Sequence, residues 1–447
     1  MKLSQAALEK QLNHFDAEKR QHALQGLLEQ VENGTITLPA ADSSLNLHCH
    51  SFYSYNGYGW SPSFLAWKGR VEGLYAMGIV DFDVLDGVEE FLGCCAQLGL
   101  RACASLETRI FVPQFSDRVI NSPGEPGIAY HMGVGFISGD VKNRTLLDGF
   151  SQTAQARTRD LVERVNKHLD PVELDYERDV LTLTPAGNAT ERHVCAAYAA
   201  KTASEYPDDE ERTAFWASRL QEPAAVIAKV LYDPPKLEAL IRAKTMKRGG
   251  AGYVQPEGPD FPRLETFNAF VMENGAIPTF AWLDGTSAGE QAIGELLDVM
   301  QDAGVALVNI IPDRNWNIKD AAERERKVRH LYDFVAEARD RDLPVIVGTE
   351  MNAYGQRFVD DFEAPELQPL VDDFRTGANV VYAHTRLQAL GEMGLLSDWS
   401  AKAFHSARDR NAWYARFGAA LSPEAGLDLS GIHSGMSPDE VLFLAGR

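Results

Sequence analysis

Residues 45–50 read Leu-Asn-Leu-His-Cys-His and place two imidazoles, those of His48 and His50, at the end of a short apolar run. In a β-strand, residues two apart point to the same side, so both side chains are expected to leave one face at the strand end. This arrangement suits one divalent metal ion. An isolated His-x-His pair is a weak signal, because most such pairs are surface or hydrogen-bonded histidines. Whether this His-x-His pair is a metal site therefore depends on the residues that accompany it.

Acidic and imidazole groups also end the next apolar runs of the chain. Asp81 and Asp83 follow the second run, Glu107 ends the third, and His131 comes after the next turn. In a parallel barrel the carboxyl ends of the strands meet at one face, so we expect these groups to converge. Each group also has an ordinary structural explanation, since an Asp at a strand-to-helix turn commonly caps the helix and a strand-end Glu commonly forms a salt bridge.

Short apolar runs alternate with helical patterns from Leu45 onward, which predicts an α/β protein with a parallel sheet, open or closed into a barrel. The expected strands are 79–80, 102–106, 133–137, 277–283, 305–311, 345–347 and 380–382. An N-terminal amphipathic helix is expected over residues 5–32, with Asn33-Gly34 as its stop. The predicted division of the chain is an N-terminal helical segment (1–44), a first barrel part (45–155), a helical insertion (156–265), a second barrel part (266–400) and a C-terminal helical tail (401–447).

The composition of the chain argues against some classes of binding partner. The 447 residues include 64 Asp and Glu against 43 Lys and Arg, a net charge of −21 that repels nucleic acid and anionic membrane surfaces. Five cysteines form no Cys-x-x-Cys pair, which argues against a disulfide framework and favours a reducing compartment. The first residues become charged before an apolar leader can form, and no run nears the ~18 apolar residues of a membrane span, so we expect neither a leader nor a span. We therefore expect a cytoplasmic protein that acts on a small molecule.

The order of these motifs resembles the PHP (polymerase and histidinol phosphatase) superfamily, whose members open with His-x-His-Ser and continue with a Thr-Asp-His strand end and a Gly-Glu strand. The corresponding residues here are His48-Cys49-His50-Ser51, Ile79-Val80-Asp81-Phe82-Asp83 and Leu106-Glu107. Residues 344–352, Pro-Val-Ile-Val-Gly-Thr-Glu-Met-Asn, stand where the family has a strand ending in Gly-Ser-Asp-x-His. The resemblance covers most of the chain and implies a distorted parallel (β/α) barrel with up to three divalent ions.

The resemblance also implies particular metal ligands. The first metal would be bound by His48, His50, Glu107 and Glu350. The second would use Glu107 as a bridge and His131, while Trp282 replaces its remaining histidine. The third metal's histidines are replaced by Asn56, Phe82 and Asn352, which are poor ligands for such an ion, so we expect this third site to be empty. One or two ions, Zn, Mn or Fe, are expected.

The function implied by the resemblance is metal-assisted hydrolysis, with a phosphate monoester as the default anionic substrate. Asp81 or Asp83 would orient a ligand histidine through a hydrogen bond, and His384, at the end of expected strand 380–382, is a candidate proton carrier. Four cations could bind the substrate: Arg314, Arg357, Lys247 and Arg248. The last two precede a glycine-rich loop that could hold an anion, although a helix C-terminus with a glycine stop explains them equally well.

Two other functions remain open. Residues 285–289, Gly-Thr-Ser-Ala-Gly, match the Gly-x-Ser-x-Gly motif of serine hydrolases, in which Ser287 would be the nucleophile. Its partners would be Asp313 or Asp333 as the acid and His384, His405 or His433 as the base. This motif is short enough to arise by chance among 36 glycines. Alternatively, Phe82 and Trp282 would fill space near the metals and leave a catalytically degenerate ligand-binding or regulatory protein.

Overall fold

Seven strands form one sheet in which every strand pairs with its sequence neighbours, in the order β1 to β7. This computed structural model describes residues 3–424 and 429–445. The strands are β1 (Leu45–Asn46), β2 (Ala76–Phe82), β3 (Arg101–Phe111), β4 (Ile128–Val134), β5 (Ile277–Trp282), β6 (Leu307–Ile310) and β7 (Val345–Val347). Six of the seven predicted strand regions are therefore strands, or overlap one, in the fold.

The sheet closes on itself through the residues that follow β1 and β7. The Leu47 N–H donates to the Val347 carbonyl at 2.8 Å, and the His50 N–H donates to the Glu350 carbonyl at 2.7 Å. Cys49 and Glu350 form an isolated parallel bridge between these bonds. The predicted α/β barrel is thus confirmed, and both histidines of the His-x-His motif lie on its closing seam.

One strand departs from the expected parallel arrangement. Strand β4 is antiparallel to both β3 and β5, whereas the other pairs are parallel. Residues 112–127 join β3 to β4 with a single 3₁₀ turn and no crossover helix, and a connection without a crossover returns the chain antiparallel. The strand predicted at 133–137 is also shifted toward the N-terminus. It begins five residues earlier than predicted, at Ile128, and its last residue, Val134, is followed by Gly135 with a φ of 87°.

Two helices precede the barrel, α1 (Gln5–Gln11) and α2 (Ala17–Glu32), where the sequence predicted one. The break arises because the Asp16 carboxylate accepts the Glu18 and Lys19 N–H groups and so starts a second helix. The predicted stop is confirmed, since Asn33 is the C-cap and Gly34 has a φ of 76°. Two further helices, α3 (Pro62–Val71) and α4 (Val88–Leu98), connect β1 to β2 and β2 to β3.

A group of helices with its own hydrophobic core interrupts the barrel between β4 and β5. Its members are α5 (Arg144–Leu169), α6 (Glu191–Glu205), α7 (Asp209–Leu220), α8 (Ala224–Val230) and α9 (Pro234–Thr245). Buried residues between Leu161 and Met246 form a cluster separate from the main core. The group reaches the barrel through Asn188, whose side chain donates to the carbonyls of Tyr53 and Phe82. The exact domain limits stay a prediction.

The remaining helices surround the second half of the barrel and form the C-terminal tail. They are α10 (Leu264–Glu273), α11 (Ala288–Gln291), α12 (Ile293–Asp302), α13 (Asp313–Trp316), α14 (Ala321–Asp340), α15 (Val371–Gly391), α16 (Asp398–Ala403), α17 (Ala407–Ala420) and α18 (Pro438–Ala445). Across residues 3–424 and 429–445, no helix combines the length and apolar character needed to cross a bilayer.

The strand predicted at 380–382 is wrong, because these residues lie inside α15. Residues 377–385 are all buried, and a helix segment buried on every side has the same continuous apolar run as a buried strand. The helix lies close against β7: a Cβ at Gly377 would be 1.9 Å from the Val345 carbonyl oxygen, so this approach requires glycine.

Candidate metal centre

Two imidazole nitrogens point at one carboxylate oxygen inside the mouth of the barrel. His48 Nε2 lies 3.6 Å and His50 Nε2 3.3 Å from Glu107 Oε2. All three side chains are buried, and neither Nε2 atom has a hydrogen-bond partner. Among the residues that the structure describes, these three form a group whose ligand atoms lie within 4.8 Å of one another. Two nitrogens and one oxygen are the donor set of a catalytic zinc site with an open position, so these residues fit a divalent ion.

The barrel backbone fixes where these side chains meet. Glu107 lies in β3 opposite Phe82 of β2, and the Phe82 ring packs on His50 with ring centroids 4.3 Å apart. On the closing seam, a Cβ at Gly348 would be 2.4 Å from the His48 backbone nitrogen, so only glycine lets the chain pass this close. The three candidate ligands are therefore held by packing before any ion binds.

Hydrogen bonds to the second ring nitrogens orient both histidines. His48 Nδ1 is 2.9 Å from Asn309 Oδ1, and His50 Nδ1 is 3.0 Å from Ser54 Oγ. Ser54 Oγ in turn donates to Asp81 at 2.6 Å, and Asp81 also accepts the N–H and Oγ–H of Ser51. Because Nδ1 is engaged, each ring presents Nε2 to the centre, as is usual for histidine metal ligands.

Asp81→Asn is expected to weaken metal binding about 10- to 100-fold, the usual effect of losing a partner that orients a ligand. The substitution replaces one carboxylate oxygen that holds Ser54 and, through it, His50. The measurement is isothermal titration of metal into the metal-free protein, with Asp298→Asn as the control, since the Asp298 side chain is 65% exposed. An affinity equal to that of the wild type would mean that Asp81 does not orient His50.

Interactions between the charged side chains shift the pKa values of Glu107 and His48 in the metal-free centre. Burial would raise the pKa of Glu107, but its electrostatic interactions with the nearby His48 and His50 imidazoles lower it to about 2. Burial would lower the pKa of His48, but Glu107 and Glu350 raise it above its usual value. Without metal, His48 therefore keeps its proton to a higher pH than a free histidine does, opposite an ionised Glu107.

Metal affinity is expected to fall as the pH drops, because the ion must displace the His48 proton. The raised pKa keeps this proton bound at pH values where a free histidine has lost it. Below that pKa the affinity should fall about tenfold per pH unit for one displaced proton. Glu107 adds nothing to this slope, since its pKa of about 2 keeps it ionised. Competition with a chelator between pH 6 and 9 measures the slope, and a flat profile would contradict the ion pair.

Glu350, the fourth predicted ligand of the first metal, lies beside the triad but is bound to an arginine. Arg314 Nη2 is 2.9 Å from both Glu350 carboxylate oxygens. Burial would raise the pKa of Glu350, but Arg314 and His48 lower it. Glu350 has a left-handed backbone (φ 63°) just after β7, which turns the chain back toward β1. Its role as a metal ligand stays a prediction.

His131 is not brought to the triad. In the antiparallel register it lies opposite Thr108, whereas Glu107 lies opposite Met132, so His131 and Glu107 point to opposite faces of the sheet. Its Nε2 is 2.7 Å from Asn268 Oδ1 in α10. The sequence could not reveal this, since the face depends on the register of a strand that returns antiparallel.

The residues at the other expected metal positions have structural contacts. Asn56 donates to the His50 carbonyl and accepts the Tyr58 N–H. Trp282 is buried and stacks on Phe334 with ring centroids 4.5 Å apart.

A cavity of about 310 Å³ opens beside Glu350 and gathers three arginines: Arg192, Arg314 and Arg357. Arg314 and Arg357 are the substrate-binding residues that the sequence predicts, and the structure brings both to the same cavity. Arg357 is only loosely paired, at 4.0 Å from Asp313 and 3.9 Å from Asp361. Arg192 was missed, because a cation in the first turn of a polar helix gives no signal that the insertion folds over the barrel mouth. The cavity thus combines three arginines with the carboxylates of Asp313 and Glu350 next to the candidate metal.

Lys247 and Arg248 do not line this cavity. Lys247 Nζ bonds Glu191 at 2.7 Å, and both side chains follow the end of α9. The Gly250 N–H donates to the Lys247 carbonyl and the Gly252 N–H to the Thr245 carbonyl, so neither N–H is free to bind an anion. The structure thus has the helix C-terminus with a glycine stop that was the alternative interpretation.

The remaining candidate acid-base groups are separated. Asp83 has a φ of 60° at the end of β2, and its amide donates to the Glu107 carbonyl. Burial raises the pKa of Asp83 to about 6. His384 lies in α15, where Nδ1 accepts the Leu395 N–H and Nε2 is 3.3 Å from the Gly135 carbonyl. The structure places Asp83 at the mouth and His384 in the helix layer away from it.

Ser287 is a helix cap. Its Oγ accepts the Glu290 N–H at 3.1 Å and starts α11. In the described part of the chain it has no hydrogen bond to His384, His405 or His433. The Gly-x-Ser-x-Gly match therefore has a local structural explanation, and a catalytic triad around Ser287 is not formed.

No protein-family model matches this sequence, and no curated protein is significantly similar to it. The chain is similar to the solved structure of an amidohydrolase from Chromobacterium violaceum with bound sulfate and no metal, with a TM-score of 0.50, 13% identity and coverage of 75% of this chain and 96% of that one. A protein from Bifidobacterium adolescentis assigned as a metal-dependent phosphoesterase gives a TM-score of 0.45 and 17% identity over 75% of this chain and 98% of that one. The first similarity shows a shared barrel fold.

Proposed function

We propose that this chain is a metal-dependent hydrolase of the PHP type that cleaves a phosphate ester. The observation that carries the proposal is the pair of buried, unpartnered Nε2 atoms of His48 and His50, both directed at one oxygen of Glu107. A divalent ion held there would polarise the ester and lower the pKa of the attacking water. Packing and hydrogen bonds preorganise the three ligands, so the site is formed without a large rearrangement.

The chain's own residues would bind and orient the anionic substrate. Arg314 contacts Glu350 through Nη2, which leaves its Nη1 and Nε donors for a phosphoryl oxygen. Arg192 and Arg357 line the same cavity and add positive charge in a protein with a net charge of −21. A cytoplasmic location and a small-molecule partner complete the proposal.

The test is an assay of the protein stripped of metal and then loaded separately with Zn²⁺, Mn²⁺ or Fe²⁺, using p-nitrophenyl phosphate and a panel of phosphate monoesters. Turnover that requires one of these ions, stops with a chelator and is lost in His50→Ala would support the proposal. The exposed His22→Ala is the matched control and should retain activity. If the ion binds at the triad and no loaded form hydrolyses any ester, the hydrolase proposal fails.

A second candidate function is a ligand-binding or regulatory protein with a degenerate centre. It is favoured by Phe82, whose ring packs on His50 where the family has a metal ligand, and by the Arg314 bond that occupies Glu350. Such a protein would bind metal and phosphate with no turnover. Titration of inorganic phosphate into the metal-loaded protein, combined with the assay above, separates the two functions.

A further inference from the structure

Tyr130 lies on the inner face of the barrel, one step toward the mouth from the candidate metal centre. Strand β4 pairs antiparallel with β3 in a register that places Tyr130 opposite Arg109. The next pair on the same face joins Met132 to Glu107. Opposite residues of an antiparallel pair, and residues two apart along one strand, point to the same side of the sheet. Tyr130 is therefore the diagonal neighbour of Glu107, at a separation of ~7–8 Å that an aromatic side chain can span.

Contacts between aromatic rings place the Tyr130 side chain beside the centre. Phe82 of β2 lies opposite Glu107, and its ring packs on the His50 imidazole with centroids 4.3 Å apart. The Tyr130 ring lies near the same phenyl ring, with centroids 6.1 Å apart. At most one ring therefore separates Tyr130 from the candidate ligand His50.

The buried side chain of Asn121 fixes the Tyr130 backbone. Its Oδ1 accepts the Tyr130 N–H at 2.7 Å, and its Nδ2 donates to the Tyr130 carbonyl at 3.2 Å. The same Nδ2 donates to the carbonyl of Ala281 in β5, one residue beyond the last paired positions of β4 and β5. Ala281 lies opposite Asn309, whose side chain orients His48. Tyr130 is thus held in place by the same part of the barrel that supports the metal centre.

The Tyr130 hydroxyl is a donor without an acceptor inside the protein. Among residues 3–424 and 429–445 it has no hydrogen-bond partner, although both backbone groups of Tyr130 are bonded. The residue is partly exposed, so its side chain is accessible. Its cross-strand neighbour Arg109 is already paired with Glu125 at 2.9 Å. Since a tyrosine hydroxyl is protonated at neutral pH, Tyr130 offers a neutral donor on the inner face of the barrel.

We propose that the Tyr130 hydroxyl donates a hydrogen bond to a phosphoryl oxygen of a substrate bound at the metal centre. The proposal rests on the proposed hydrolase function and adds a catalytic residue to it. A donor that is fixed before the reaction stabilises the charge that develops on a phosphoryl oxygen, because it needs no reorientation. Because the hydroxyl has no partner within the described residues, the bond to the substrate replaces only a bond to water.

Tyr130→Phe is expected to lower kcat of the metal-loaded protein for p-nitrophenyl phosphate about 100-fold, the usual effect of removing one donor to a developing oxyanion. The variant loses a hydroxyl that has no bond inside the protein, so its Tm and its Zn²⁺ affinity should equal those of the wild type. Tyr232→Phe is the matched control and should retain activity, since Tyr232 is 75% exposed on the helical insertion. A Tyr130→Phe variant with wild-type kcat would overturn the inference and leave the hydrolase function standing. An equal loss of activity and of Zn²⁺ affinity would also overturn it, because Tyr130 would then support the metal and not the substrate.

A second test needs no turnover. Orthovanadate mimics the five-coordinate phosphorus of phosphoryl transfer, and isothermal titration gives its affinity for the Zn²⁺-loaded proteins. Tyr130→Phe is expected to bind it at least about tenfold more weakly than the wild type and Tyr232→Phe do, as the loss of a hydrogen bond to a charged group implies. If the wild type cleaves no ester but shows this difference, the hydrolase function fails and the contact of Tyr130 with the phosphoryl group stands. Equal affinities of the wild type and Tyr130→Phe, or no binding of orthovanadate to the loaded wild type, would refute the contact.

Discussion

The double substitution His48→Ala, His50→Ala is expected to lower the affinity of the protein for Zn²⁺ by more than about 100-fold. Loss of a group that merely orients a ligand costs 10- to 100-fold, and this change removes two of the three converging ligand atoms themselves. Glu107 alone would remain, and a single carboxylate does not hold a borderline ion against water.

Isothermal titration of Zn²⁺ gives the affinity, and mass spectrometry gives the metal content of each purified protein. The matched control is the double substitution His22→Ala, His405→Ala, since both histidines are exposed on helices or turns away from the barrel mouth. The control should bind metal as the wild type does. If the His48, His50 variant retains its metal, the ion binds elsewhere and the triad is not the centre.

The second large effect concerns stability. Arg20→Ala is expected to lower the free energy of unfolding by about 3 kcal/mol, the lower end of the cost of removing one partner of a buried ion pair, because the Glu90 side chain is 17% exposed and keeps its hydrogen bonds from Ser63. Arg20 is 1% exposed, and its Nε donates to Glu90 at 2.8 Å. Its Nη1 donates to the carbonyls of His14 and Phe15, so the side chain also holds the turn between α1 and α2. The substitution would leave Glu90 without its cation and these carbonyls without their donor.

Guanidinium chloride unfolding measures the loss. Arg329→Ala is the control, since its pair with Glu325 is exposed and should be worth less than about 1 kcal/mol. Arg20→Met combined with Glu90→Leu should recover much of the stability, because no unpaired charge then remains buried. A loss below about 1 kcal/mol for Arg20→Ala would show that the pair does not join the N-terminal helices to the barrel. Arg20 also contacts the loop that follows the metal ligand His50, because its Nη2 lies 3.2 Å from the Tyr53 hydroxyl.

Local spacing made the barrel and the His-x-His convergence predictable. Two residues two apart on an extended chain share a side, and the structure indeed directs both rings at Glu107. The strand 345–347 was predicted at its observed limits, because a Pro precedes it and a Gly follows it. The segment 380–382 failed for the opposite reason: a helix buried on all sides has no polar face to reveal its period.

Contacts that depend on the pairing of distant strands could not be predicted from the sequence. His131 was predicted to precede a strand at 133–137 but lies within β4, whose antiparallel return turns its side chain toward α10. Glu350 was placed beside the triad, yet its bond to Arg314 depends on the meeting of two strand ends. The supporting contact of Asn309 with His48 joins residues 261 positions apart, so no local pattern contains it.

The most direct measurement is anomalous diffraction from crystals soaked in Zn²⁺, with data recorded above and below the zinc absorption edge. We predict a zinc peak about 2.0–2.2 Å from His48 Nε2, His50 Nε2 and a Glu107 carboxylate oxygen. A peak coordinated by other residues, or no peak at the mouth of the barrel in fully soaked crystals, would contradict a metal centre built on these three side chains.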